Sequence, residues 1–147
     1  MKDTKQQFEH VIAICRDLFA KKLHDYGAAW RIMRPSSVTD QIFIKANRIR
    51  SIETKGVAMV DEGIRSEFIA IVNYGIIGLV QLELGYAETD DMTEERALEL
   101  YKIKRTDSCR IQESIPSTLE KQLQCPNNWV HFNLTRVFYR IYTHYFA

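Results

Sequence analysis

Cysteine, unbroken apolar sequence and one-sided charge are what this chain has least of, and each shortage excludes something. The 147 residues include three cysteines, Cys15, Cys109 and Cys125. An odd, widely scattered set is neither a disulfide framework nor a zinc pattern. The start, Met1 to Gln7, is polar and charged and lacks the apolar stretch of a signal peptide. Together these point to a soluble protein of a reducing cytoplasm. The longest apolar run, Phe68 to Leu84, is interrupted by Asn73, Tyr74, Gly75, Gly78 and Gln81. A bilayer span takes about 20 apolar residues, so the run reads as a buried helix and no membrane partner is expected. The formal net charge is +1, and nothing in that total predicts a nucleic-acid surface. Phosphate-binding glycine loops, dinucleotide fingerprints and the HExxH and GxSxG motifs are absent. The four histidines, His10, His24, His131 and His144, have no metal-like spacing.

What is present is ordinary globular material: 46% hydrophobic and 27% charged residues, in a length suited to one domain with its own core. Apolar residues recur at helical spacing through most of it. Phe8, Val11, Ile12, Cys15, Leu18, Phe19 and Leu23 define a first helix over Thr4 to His24, with Gly27 at its stop. A loop from Ala28 to Ser37 follows. Ser37 and Asp40 resemble a capping box, so the second helix is expected over Val38 to Glu53, with Ile42, Ala46, Ile49 and Ile52 (or Glu53) as its inner stripe. The third should run from Asp61 to Leu84, apolar nearly all round, with Gly75 and Gly78 permitting close packing and Gly85 ending it. Thr93 is a good N-cap for a fourth helix over Glu94 to Lys104, with Ala97, Leu98 and Tyr101 facing inward.

After Lys104 the character changes. Arg105 to Asn128 is polar and carries Pro116 and Pro126, with room for one short helix at Ser117 to Leu123. In the aromatic-rich stretch Trp129 to Phe146, Val130, Phe132 and Leu134 alternate like a strand, while Val137, Phe138, Ile141, Tyr142 and Tyr145 suit a helix. Helix is taken because everything before it is helical. The expected fold is therefore all-α: a bundle of about four core helices over residues 1–104, with a divergent C-terminal segment, 105–147, packed on the same domain.

Three constellations hold chemistry-bearing residues. His24-Asp25-Tyr26-Gly27 followed by Trp30, Arg31 and Arg34 offers a carboxylate, a phenol, an indole and two guanidiniums. Arginine forks suit phosphates, but a helix end with a docked tryptophan would use the same residues. Lys45 and Arg48 are three apart and share a helix face. They would suit a polyphosphate, a carboxylate on another helix, or simply solvent. The acidic set Glu53, Asp61, Glu62 and Glu67 precedes Asn73-Tyr74. Carboxylates facing across helices hold divalent metals in bundles, and helix-dipole charge with surface ion pairs is the plainer account. Glu62 and Glu67 point about 140° apart on one straight helix, which works against both being ligands of one ion.

The ordered set His-Asp-Tyr-Gly at 24–27, Lys45-x-x-Arg48, Glu53, Asp61-Glu62 and Asn73-Tyr74 resembles the nucleotide modification associated domain 1 family, found in bacteria and phages. The resemblance covers about Phe8 to Leu84. That family is distantly similar to the all-α MazG and dUTPase-like nucleoside triphosphate pyrophosphohydrolases, oligomeric bundles that use carboxylates and magnesium. The resemblance implies Glu53, Glu62 and Glu67 as magnesium ligands. It implies Lys45 and Arg48 on phosphates, Tyr26, Trp30 and Asn73 on the nucleoside side, and Asp25, Arg31 and Tyr74 as further substrate-binding residues. One departure stands out: Ala70 occupies a position where family members often carry an aspartate. No second Asp-Tyr-Gly or Asn-Tyr follows Lys104 either. Two readings therefore stand. One is a nucleotide-binding protein with magnesium-dependent pyrophosphohydrolase chemistry. The other is a non-catalytic scaffold that forms a homo-oligomer, a dimer first of all, through its apolar third helix. Nucleic-acid binding through Arg31, Arg34, Lys45, Arg48 and Arg50 ranks last.

Overall fold

Four stretches of three- and four-residue apolar spacing become four helices, and a computed structural model describes them over residues 4–55 and 63–113. They are α1 (Thr4–Tyr26), α2 (Pro35–Lys55), α3 (Ile64–Leu84) and α4 (Glu94–Glu113). No strand occurs among the described residues, so the fold is an all-α bundle. The expectations for the short helix at Ser117 to Leu123 and for Trp129 to Phe146 lie outside the described residues.

Helix α1 buries Val11, Ile12, Cys15, Phe19 and Leu23, the stripe its spacing predicts. It ends where Gly27 takes a φ of 62°, a left-handed conformation open to glycine at little cost. A cap there is tight as well, because a β-carbon on Gly27 would strike the carboxylate of Asp90. A short 3-10 turn, Ala29–Ile32, leads on to α2.

Helix α2 starts at Pro35, three residues before the expected Val38. Proline lacks the N–H that a first-turn residue would leave unpaired, and its fixed φ suits that position. The carbonyl of Arg34 accepts the first helical bond from Val38 N at 3.1 Å, so Ser37 lies inside the helix and the Ser37–Asp40 box is not the cap. Val38 and Ile49 are buried, with Ile42, Ala46 and Ile52 half-buried along the same stripe.

Helix α3 is the centre of the bundle. It packs most extensively on α2 and also on α1 and α4, which touch each other. By length and composition it could cross a bilayer. Its place in the bundle is that of a core helix, with Glu67, Asn73 and Gln81 buried beside Ile71, Val72, Ile76 and Val80. Each fully buried aliphatic side chain contributes about 1.5–3 kcal/mol. Gly78 faces α2, where an added β-carbon would lie 3.4 Å from Val38 Cγ1. Gly85, with φ 74°, ends the helix and donates its N–H to the Gln81 carbonyl at 2.9 Å.

Thr93 caps α4, its hydroxyl oxygen accepting the Arg96 N–H at 3.3 Å. Ala97, Leu100 and Tyr101 point into the core. The helix runs to Glu113, past the change of character at Lys104. The polar residues after Lys104 contain no breaker before Pro116, and arginine, glutamine and glutamate are good helix formers.

Candidate functional site

Glu67 belongs to the first turn of α3, where a carboxylate is favoured by the helix dipole. Two cations from the facing side of α2 meet it. Lys45 Nζ lies 3.1 Å from Oε2 and Arg48 NH1 lies 3.0 Å from Oε1. The three-residue spacing of Lys45 and Arg48 puts both on one face of α2, and the close packing of α2 on α3 brings that face to Glu67. Burial is graded: the Glu67 side chain is 1% exposed, Lys45 25% and Arg48 36%. The carboxylate is thus sealed inside while both cations keep a side towards solvent. Oε2 accepts no hydrogen bond among the described residues, although Lys45 Nζ is close, so that contact is an ion pair without hydrogen-bond alignment. The triad carries two positive charges against one negative.

Glu53 is exposed in the last turn of α2, and Asp61 and Glu62 lie outside the described residues. Among the described residues no three histidine, cysteine or acidic side chains come together as a metal site. The carboxylate that is in place, Glu67, already faces two cations. Magnesium takes several oxygen ligands in near-octahedral array, and among the described residues no such set gathers round Glu67.

Arg31 is at the opposite end of α3. Arg31 is 4% exposed, and its guanidinium is claimed by the chain's own acceptors. Nε donates to Asp91 Oδ1 at 2.9 Å, and NH1 donates to the Gly85 carbonyl at 2.7 Å and to Gln81 Oε1. Gln81 Nε2 in turn faces the carbonyls of Trp30, Arg31 and Met33 at 3.1, 2.9 and 2.7 Å. This network fastens the 3-10 turn and the loop after α3 to the end of α3. The Arg31 hydrogen bond holds the Asp91 carboxyl below its ordinary value. From Gln81 to Glu67 is about 21 Å along the helix axis at 1.5 Å per residue. The Arg31 corner and the Lys45–Arg48 pair are therefore separate places.

Trp30 is half-buried, its ring 6.3 Å from that of Phe19, and its Nε1 is buried without a hydrogen-bond partner among the described residues. Asp25 and Tyr26 are exposed at the end of α1, with Lys22 Nζ 5.5 Å from the Tyr26 ring centre. Asn73 is in the core, where its Nδ2 donates to the Cys15 carbonyl at 3.1 Å and its Oδ1 accepts from the Tyr101 hydroxyl at 2.8 Å. Burial raises the Tyr101 hydroxyl far above its ordinary value and pushes the Cys15 thiol up to about 12. Tyr74 packs half-buried against the core. Gln81 and Asp91 were not singled out from sequence. Gln81 carried a signal, since a polar residue inside an apolar helix must find partners.

The residues that converge, Lys45, Arg48 and Glu67, fall within one recognisable stretch of the chain. Residues 22–82 match nucleotide modification associated domain 1. The matched region takes in the end of α1, all of α2 and nearly all of α3, somewhat under half of the chain. No curated protein and no solved structure gives a significant match.

Proposed function

We propose that the matched region binds a nucleotide by its phosphates, with Lys45 and Arg48 as the contacts. The observation that supports this is the convergence of two half-open cations on one sealed carboxylate. An arginine and a lysine held near each other, with donors still facing solvent, suit a chain of phosphate oxygens. The Arg31 fork is engaged by Asp91, Gln81 and Gly85, so it is left out of the binding set.

The test is thermal unfolding of the full chain against nucleoside mono-, di- and triphosphates, each with and without magnesium. A ligand present at 100 times its Kd stabilises the folded state by about 2.7 kcal/mol. A shift is expected with a nucleotide, and it should shrink in Lys45→Ala and in Arg48→Ala. No shift with any nucleotide, or a shift that survives both substitutions, would overturn the reading. The magnesium arm tests the pyrophosphohydrolase chemistry. A shift that needs nucleotide and magnesium together would support it, and product analysis for pyrophosphate release would then decide it.

A specific observation favours the scaffold reading as well: Leu82 and Leu84 stand exposed at the end of α3. Light scattering over a range of concentrations tests it, and a monomer at every concentration would remove it.

A further inference from the structure

Glu67 is held by two partners from within the chain, Lys45 and Arg48 of α2. Each carboxylate oxygen faces one cation at 3.0–3.1 Å, and the carboxylate is sealed while the cations are not. A buried carboxylate without such partners would be strongly disfavoured. Yet the cations are not used up. Arg48 keeps 36% and Lys45 25% of the side chain exposed, and Lys45 is not aligned to donate to Oε2 among the described residues.

We infer that Glu67 is a resident counter-anion: it holds Lys45 and Arg48 from the inside, and an incoming anion has to draw the same two cations outward against it. This rests on the phosphate-binding reading above. Glu67 acts through the cations and does not itself touch the ligand. With it in place the triad presents one net positive charge instead of two. A single phosphate then competes poorly with a carboxylate that is already seated. A chain of two or three phosphates reaches both cations at once and brings more charge. The ligand class is therefore a polyphosphate tail in preference to a single phosphate. A divalent cation would have to enter between two positive charges, which runs against a ligand role for Glu67 in this arrangement.

The test is calorimetric titration of the full chain with inorganic tripolyphosphate and with orthophosphate, at low ionic strength and with a chelator present. Removing one negative charge a few ångströms from the ligand strengthens its attraction, so Glu67→Gln should bind tripolyphosphate at least about tenfold tighter than the unmodified chain. Should Glu67→Gln not fold, the comparison of Lys45→Gln with Lys45→Gln/Glu67→Gln carries the same test, because the double variant restores one net positive charge. The double variant should bind the more tightly. Unchanged or weaker tripolyphosphate affinity in folded Glu67→Gln would overturn the inference, as would orthophosphate binding as tightly as tripolyphosphate in the unmodified chain. If the unmodified chain binds, loses binding in Lys45→Gln, and gains nothing from Glu67→Gln, the inference falls and the phosphate reading stands. If neither the unmodified chain nor Glu67→Gln binds, both fall.

Discussion

Arg31→Met should destabilise the protein by about 2–4 kcal/mol, by stranding buried hydrogen-bond partners. Methionine keeps most of the apolar stem, so the change isolates the guanidinium. Gln81, 1% exposed, loses the donor to its Oε1. An acceptor left buried without a donor costs about 1–3 kcal/mol. The Gly85 carbonyl also loses its 2.7 Å bond, but Gly85 is exposed and water replaces part of that. The remainder comes from Gln81 itself, whose amide then holds the turn of Trp30, Arg31 and Met33 with one anchor fewer. Urea unfolding followed by circular dichroism measures the change, with an unchanged slope as the check that the same transition is compared. Acid titration adds a second readout. Asp91 has its carboxyl held below the ordinary 3.8 by Arg31. A depressed folded value contributes stability above the unfolded value and loses it as pH falls through the folded one. The unmodified chain should therefore lose more stability below about pH 4 than Asp91→Asn does. An Arg31→Met variant within about 0.5 kcal/mol of the parent would refute the clamp, since such values belong to surface positions. So would a fully stable variant that had lost nucleotide binding, because that would return Arg31 to the ligand.

Further outcomes follow from the core. Tyr101→Phe removes the donor to Asn73 Oδ1 and should cost about 1–3 kcal/mol in the same unfolding assay, with a neutral result counting against that bond. Cys15, fully buried and with its thiol pushed up to about 12, should resist alkylation in the folded chain and react only after unfolding, as peptide mass mapping would show. Because the folded value lies above the ordinary 9.0, its contribution is full below about pH 9 and is lost as pH rises towards about 12. Cys15→Ala should blunt that alkaline loss.

The helices were legible because apolar spacing, Gly27, Gly85 and Thr93 all report local geometry. Val11, Ile12, Cys15, Phe19 and Leu23 are buried as a stripe for the same reason that they recur at three and four. The start of α2 misled because Ser37 and Asp40 carry the types of a cap, whereas Pro35 carries the backbone constraint that decides it. The far end of α4 misled because polar residues without a breaker continue a helix as readily as they leave one. At the candidate site, Lys45 and Arg48 were legible as neighbours on one helix. Their partner was not, since a contact between α2 and α3 leaves no mark in spacing. Asn73 shows the converse: a short motif that resembles a ligand contact turns out to join α1 to α4 through Cys15 and Tyr101.

An apolar helix such as α3 has little to tell it which neighbour belongs on which side, because one aliphatic face packs much like another. Its three buried polar residues supply that information. Six residues separate Glu67 from Asn73 and eight separate Asn73 from Gln81, so they point about 120° and about 80° apart around the helix. Each reaches a different neighbour: Glu67 meets α2, Asn73 meets α1 and α4, and Gln81 meets the turn before α2. Buried polar groups that are fully paired fix a unique packing. Asn73 and Gln81 are paired at both ends of their amides, as anchors should be. Glu67 differs from them, with one oxygen that takes no hydrogen bond among the described residues and two partners that reach solvent. An anchor needs neither feature, and a site that answers to an outside anion needs the second. That difference is why we propose the function at Lys45 and Arg48, held by Glu67, and assign the other two polar positions to the fold.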